Sequence, residues 1–106
     1  MTIEHPDHGG RVRLELREEM ERGALYAVTL FTPAGRWEAT AQVDLAADAA
    51  VPQCSAWTAE EEKSGAAPAW LARYASSMLA VLQRDHRAAP GTRWPRRILR
   101  WRAERG

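Results

Sequence analysis

The sequence predicts an α+β domain: an antiparallel β-meander of three to five strands, one face covered by a single long amphipathic helix, in the order β-β-β-(β)-α-β. Three observations carry this. Strand-like runs occupy residues 12–17, 25–32 and 36–45, joined by short turn signals. Apolar residues then recur at three- and four-residue spacings over about 68–87. A last alternating run covers 97–103.

Residues 1–10, with Pro6, Gly9 and Gly10 and little to bury, read as a flexible lead, and 11–106 as the single domain. Val12, Leu14 and Leu16 alternate with Arg13, Glu15 and Arg17, which is the pattern of a half-buried strand. The polar stretch from Glu18 to Gly23 is expected to turn the chain. Leu25–Thr32 is apolar on both faces and rich in aromatic and β-branched residues, so it belongs at the centre of the sheet. Thr32-Pro33-Ala34-Gly35 signals a hairpin, with proline presetting φ for a type I turn and glycine free to take the positive φ that often follows. Trp37, Ala39, Ala41, Val43 and Leu45 then alternate without a break against Arg36, Glu38, Thr40, Gln42 and Asp44. Residues 46–66 are less patterned. Gln53–Trp57 has the form of a short fourth strand, and Thr58-Ala59-Glu60-Glu61 that of a capping box opening a helical turn, which Gly65 interrupts.

Pro68 suits the first position of the helix. Trp70, Leu71, Tyr74, Ala75, Met78, Leu79, Val81 and Leu82 fill half its circumference, and Arg73, Ser76, Ser77, Arg84 and Arg87 the other half. A helix of this length spans about 30 Å, enough to cross the sheet, and Pro90-Gly91 ends it. Asp85 falls inside the apolar half, where a lone carboxylate is costly, so it is expected to turn outward or meet an arginine from 93–102. His86, at the stripe's border, is expected to cap the helix end or meet its dipole. In the final strand Leu99, Trp101 and Ala103 oppose Ile98, Arg100 and Arg102. This places Trp101 under the helix and points Arg100 and Arg102 onto the open face beside Glu15, Glu38 and Asp44.

With 106 residues, 45% apolar and 27% charged, the chain has room for one core. Five tryptophans argue for a folded chain. Cys54 is the one cysteine, which excludes an internal disulfide and a Cys-rich zinc site. The N-terminus lacks the basic start and apolar run of a signal peptide, and no stretch approaches the roughly 18 apolar residues of a spanning helix. A cytoplasmic setting with no membrane association is expected. The net charge of +1 is unevenly placed: residues 1–62 sum to −7 and residues 84–106 to +6. One lysine against fourteen arginines is a bias that GC-rich coding produces.

Arg93, Arg96, Arg97, Arg100, Arg102 and Arg105, interleaved with Trp94 and Trp101, combine phosphate-pairing cations with rings that stack on bases, which suits single-stranded DNA or RNA. The plainer alternative is a strand whose Trp101 is core and whose arginines balance acids within the sheet. Trp37, Trp70, Tyr74 and Trp101 mark a possible small-ligand pocket between helix and sheet, or simply the core. His5, Asp7 and His8 lack a fourth metal ligand, Glu60-Glu61-Glu62 lacks the pattern of a calcium loop, and Cys54 lacks a neighbouring base. Ser76 and Ser77 read as surface. There is no phosphate-cradling glycine loop, zinc-protease motif or nucleophile elbow. No cofactor, metal or catalytic residue is assigned. The leading expectation is a non-enzymatic interaction or accessory module that acts through an open sheet face, on a protein partner or a second copy. Nucleic-acid binding through 93–105 is the alternative, and the pocket comes third.

Overall fold

A computed structural model describes residues 8–103. It contains β1 (Gly10–Met20), β2 (Gly23–Thr32), β3 (Gly35–Asp44), β4 (Thr58–Ala59), α1 (Ala69–Ala88) and β5 (Arg97–Arg102), and the strands form one antiparallel sheet in the order β4-β3-β2-β1-β5. The α+β meander with one long covering helix is as the sequence predicts. The inward positions of β1 (Val12, Leu14), β2 (Ala24, Tyr26, Val28, Leu30) and β3 (Trp37, Ala41, Val43) meet Leu71, Ala75, Leu79 and Leu82 of α1 in one buried cluster. Each fully buried aliphatic side chain there contributes about 1.5–3 kcal/mol relative to exposure.

Several boundaries move. β1 opens at Gly10, inside the stretch read as a lead, and runs on to Met20; Glu18, Glu19 and Met20 pair with Leu25, Ala24 and Gly23 instead of turning the chain. The turn is only Glu21-Arg22, and the register slips between Leu16 and Glu18, leaving Arg17 as an extra residue. That turn has no residue at positive φ. It is therefore not one of the mirror-image turns whose twist suits a hairpin, and the bulge at Arg17 adds twist locally. In the β2–β3 turn the Ala34 N–H donates to Thr32 Oγ1 at 3.1 Å. Gly35 does not take the expected positive φ. It is needed for room, because a Cβ there would stand 2.5 Å from Ser64 Oγ.

The fourth strand lies later than Gln53–Trp57. Cys54 makes one isolated bridge to Ala41, and Thr58 and Ala59 form the edge pairing with Glu38 and Trp37. The free edge of β3 captures Thr58 and Ala59, so no capping box forms there; the helical turn that follows is a 3-10 turn at Glu62–Ser64, which Gly65 ends as expected. Pro68 serves as the N-cap of α1 and not as its first residue. The buried helix face is turned away from Val81, which is exposed, toward Gln83 and His86. Gln83 Nε2 donates to the carbonyls of Asp44 (2.9 Å) and Ala50 (3.0 Å), so the buried amide is satisfied. Asp85 turns outward and meets its neighbour Arg84 at 3.3 Å. Among the described residues no helix is long and apolar enough to cross a membrane.

Candidate functional site

The approach to β5 is anchored in the core. The Tyr26 hydroxyl donates to the Pro95 carbonyl at 2.6 Å. Burial, with a smaller contribution from the Glu19 charge, pushes the Tyr26 hydroxyl up to about 12. Trp94 stacks on His86 with centroids 3.9 Å apart and planes 5° from parallel, and tilts against Tyr26 at 6.3 Å. His86, 5% exposed, stands with Nδ1 2.9 Å from the Leu82 carbonyl and Nε2 3.4 Å from that of Arg93. It tethers the loop after α1 to the helix end, a structural role close to the expected cap.

Trp94 and Ile98 both pack on the core, which fixes the phase of β5. Leu14 pairs with Ile98, Val12 with Arg100 and Gly10 with Arg102, so these residues lie on the helix side. The expected phase is thereby reversed. Trp101 does not lie under the helix: it is 48% exposed on the opposite face, where Nε1 donates to the His8 carbonyl at 3.1 Å and the two rings meet edge-on at 5.3 Å. Arg100 and Arg102 do not join Glu15, Glu38 and Asp44; the Arg102 guanidinium lies 4.8 Å over the Tyr74 ring of α1.

On the uncovered face the register assembles rows that cross the sheet. One runs Trp101, Arg11, Phe31, Arg36, and the next Leu99, Arg13, Thr29, Glu38. Phe31 is only 2% exposed although α1 does not reach this face. The guanidiniums of Arg13 and Arg36 stand 5.1 and 5.4 Å from its ring, contacts worth about 0.5–1 kcal/mol each. Glu38 holds Arg36 at 3.1 Å, and Arg13 Nε stands 3.0 Å from Glu15 Oε1 without the alignment of a hydrogen bond. Sequence reasoning missed Phe31, Arg13 and Arg36 as a unit, since only the register across three strands brings them together.

β5 is an edge strand and, among the described residues, pairs with β1 alone. The Leu16 N–H donates to the Arg96 carbonyl at 2.9 Å. Antiparallel alternation then turns the backbone groups of Ile98, Arg100 and Arg102 toward β1, and those of Arg97, Leu99 and Trp101 outward. The outward Leu99 carbonyl accepts from Arg100 Nη1 at 3.0 Å.

The basic segment is therefore split three ways. Arg97 joins Trp101 on the uncovered face, Arg100 and Arg102 lie on the helix side, and Arg93 and Arg96 border an open groove of about 800 Å³ with Glu18 and Glu19. Trp94 is packed inward, and Arg105 lies outside the described residues. The four aromatic residues expected around a pocket also separate. Trp37, 2% exposed, donates from Nε1 to the Gly65 carbonyl at 3.0 Å and shares with Trp70, His8 and Ser64 an open cleft of about 520 Å³. Tyr74 stands a turn further along α1 under Arg102, and Trp101 is across the sheet. His5 and Asp7 lie outside the described residues, among which no three His, Cys, Asp or Glu side chains gather as a metal site. Burial pushes the Cys54 thiol up, which keeps it protonated and a poor nucleophile. The chain matches no family model, no curated protein and no solved structure.

Proposed function

We propose that this protein is a non-enzymatic interaction module whose working surface is the uncovered sheet face, centred on β5. One observation carries the reading. Among the described residues the exposed large apolar side chains are Val51, Val81, Leu99 and Trp101, and the last two stand two residues apart on one face of an edge strand, next to Arg97. Adjacent exposed apolar groups mark interaction sites more than scattered ones do, and tryptophan and arginine dominate binding hot spots. A photo-crosslinking amino acid at exposed Thr40, on this face, is expected to capture a protein in cells, and the adduct is expected to disappear on Trp101→Ala. The same probe at Arg73, on the outer side of α1, is expected to capture none. Equal capture from both positions, or capture from Thr40 that survives Trp101→Ala, overturns the reading.

A second reading, single-stranded nucleic acid, draws support from Arg97 beside Trp101 and from residues 86–103 holding six arginines and no acid. Fluorescence anisotropy with labelled single-stranded DNA and RNA at about 50 and 200 mM salt tests it. Binding that weakens steeply with salt and is lost on Arg97→Glu supports it, and no binding at low salt removes it.

A further inference from the structure

We infer that the outer edge of β5 takes up an extended, acidic segment of a partner protein as a sixth strand, its carboxylates falling on the helix side beside Arg100 and Arg102 and its apolar side chains on the uncovered side beside Leu99 and Trp101. This deepens the interaction-module reading and rests on it.

Arg97, Leu99 and Trp101 turn their N–H and C=O groups away from β1, so three consecutive ladder positions face outward on the edge of a five-stranded sheet. Such a row is a template for one more strand, whose main chain supplies the missing partners at the usual spacing of about 4.8 Å. Side chains then fix which strand fits. In an antiparallel or parallel addition, residues of the incoming strand alternate between the two faces, as those of β5 do. On the helix side they meet Arg100 and Arg102, and among the described residues β5 itself carries no acid. On the uncovered side they meet exposed Leu99 and Trp101. The complementary sequence is thus an alternation of carboxylate and apolar residues.

The charges also say what does not fit. A second copy of β5 would bring Arg97, Arg100 and Arg102 of both chains to one seam, and β5 itself contains no carboxylate to answer them; edge arginines or lysines are a common guard against self-pairing. The bond from Arg100 to the Leu99 carbonyl closes the middle of the edge in the free protein. A carboxylate on the incoming strand draws that exposed guanidinium aside and frees the carbonyl, so strand addition and charge pairing are coupled.

Backbone amide exchange by NMR, on the whole protein, with a Glu-Val repeat peptide about eight residues long as the probe, tests the inference. In the free protein the amides of Arg97, Leu99 and Trp101 are expected to exchange fast and those of Ile98 and Arg100 slowly. Saturating peptide is expected to slow the first three by roughly tenfold or more, and a Lys-Val repeat of the same length to leave them unchanged. Leu99→Pro removes an outward N–H together with the Leu99 side chain and spares every bond to β1, and it is expected to abolish binding where Leu99→Ala, which keeps the N–H, only weakens it. Should Leu99→Pro fail to fold, Arg100→Glu with Arg102→Glu serves instead, and is expected to shift preference from the Glu-Val to the Lys-Val peptide. Peptide binding that perturbs Leu99 and Trp101 side chains without protecting the three amides overturns strand addition while the interaction-module reading survives. Absence of any perturbation on β5 by the Glu-Val peptide overturns the inference, and failure of the Thr40 crosslink is then what decides the broader reading. Protection of the same amides by self-association alone assigns the edge to a second copy and also overturns it.

Discussion

Tyr26 joins the centre of the sheet to the last segment of the chain through one hydrogen bond, hydroxyl to Pro95 carbonyl, across a sequence separation of 69 residues. Removing the hydroxyl in Tyr26→Phe leaves a half-buried carbonyl unpaired, and a loss of about 1–2 kcal/mol is expected from urea unfolding midpoints. The same burial sets a pH dependence. The folded-state value of about 12 lies above the model-peptide value of 10. Between these values the unfolded chain has lost the phenolic proton and the folded one keeps it, so the group's contribution is fully present below pH 10 and falls as pH rises toward 12. In that window wild-type stability is expected to decline at up to about 1.4 kcal/mol per pH unit relative to Tyr26→Phe, measured on both proteins in urea. Gly23 is a second residue on which pairing turns. A Cβ there would press on the Val43 carbonyl oxygen, a backbone atom of the neighbouring strand that cannot step aside. Gly23→Ala is expected to cost more than 2 kcal/mol, against about 0.5 kcal/mol or less for Ala47→Ser on an exposed loop, with thermal melts as the comparison.

β5 shows at the level of an element what was legible in the sequence and what was not. Strand identity was legible, because RILRWR alternates and lies just past a helix stop. Its phase was not. Counting apolar groups puts Leu99, Trp101 and Ala103 inward against Ile98 alone, yet Ile98 faces the helix because Trp94 is already seated on His86 and Tyr26, and the strand inherits that parity. The contacts that decide this are long-range, joining residues 26, 86 and 94, and period-two counting sees only neighbours. The three central β-elements and α1 were readable because each buries a whole face of its own. β4 was not, since two residues captured by an edge carry no pattern. The phase is open to measurement. Trp94→Ala strips a stacked, partly buried ring from the core and is expected to cost about 2–4 kcal/mol. Trp101→Ala removes a ring that is half in water and is expected to cost under about 1 kcal/mol. The reverse order in urea titrations would return Trp101 to the core.

At the scale of the whole molecule part of the uneven charge is answered beside β5. There Glu15 pairs with Arg97 across the ladder, and Glu18 and Glu19 share a groove with Arg93 and Arg96. The rest becomes a charge separation across the sheet. The strand order places β4, followed directly by Glu60, Glu61 and Glu62, on one edge, and the arginines of β5 on the other, four strand spacings or roughly 19 Å away. Glu61 is partly answered by Lys63 at 3.4 Å, an exposed pair that contributes little, and Glu60 and Glu62 are exposed. With a net charge of only +1 the monomers barely repel as a whole, so the oriented attraction of acidic edge for basic edge is the leading long-range term. That attraction is weak and screened, with a Debye length near 10 Å at about 0.1 M salt. The Glu60 N–H is already bonded to the Arg36 carbonyl at 2.8 Å and Glu62 lies in the 3-10 turn that Glu61 caps, so the acidic run draws molecules together without completing a ladder on β5. Static light scattering is therefore expected to show the second virial coefficient falling as salt is lowered from about 200 to 20 mM, while the amides of Arg97, Leu99 and Trp101 keep exchanging fast. Replacing Glu60, Glu61 and Glu62 together by lysine makes both edges positive and is expected to reverse the trend, the coefficient rising as salt is removed. A wild-type coefficient that rises on lowering salt would mean that the two edges are neutralised within each monomer, and that the separation read from the strand order exerts no field beyond the molecule's own surface.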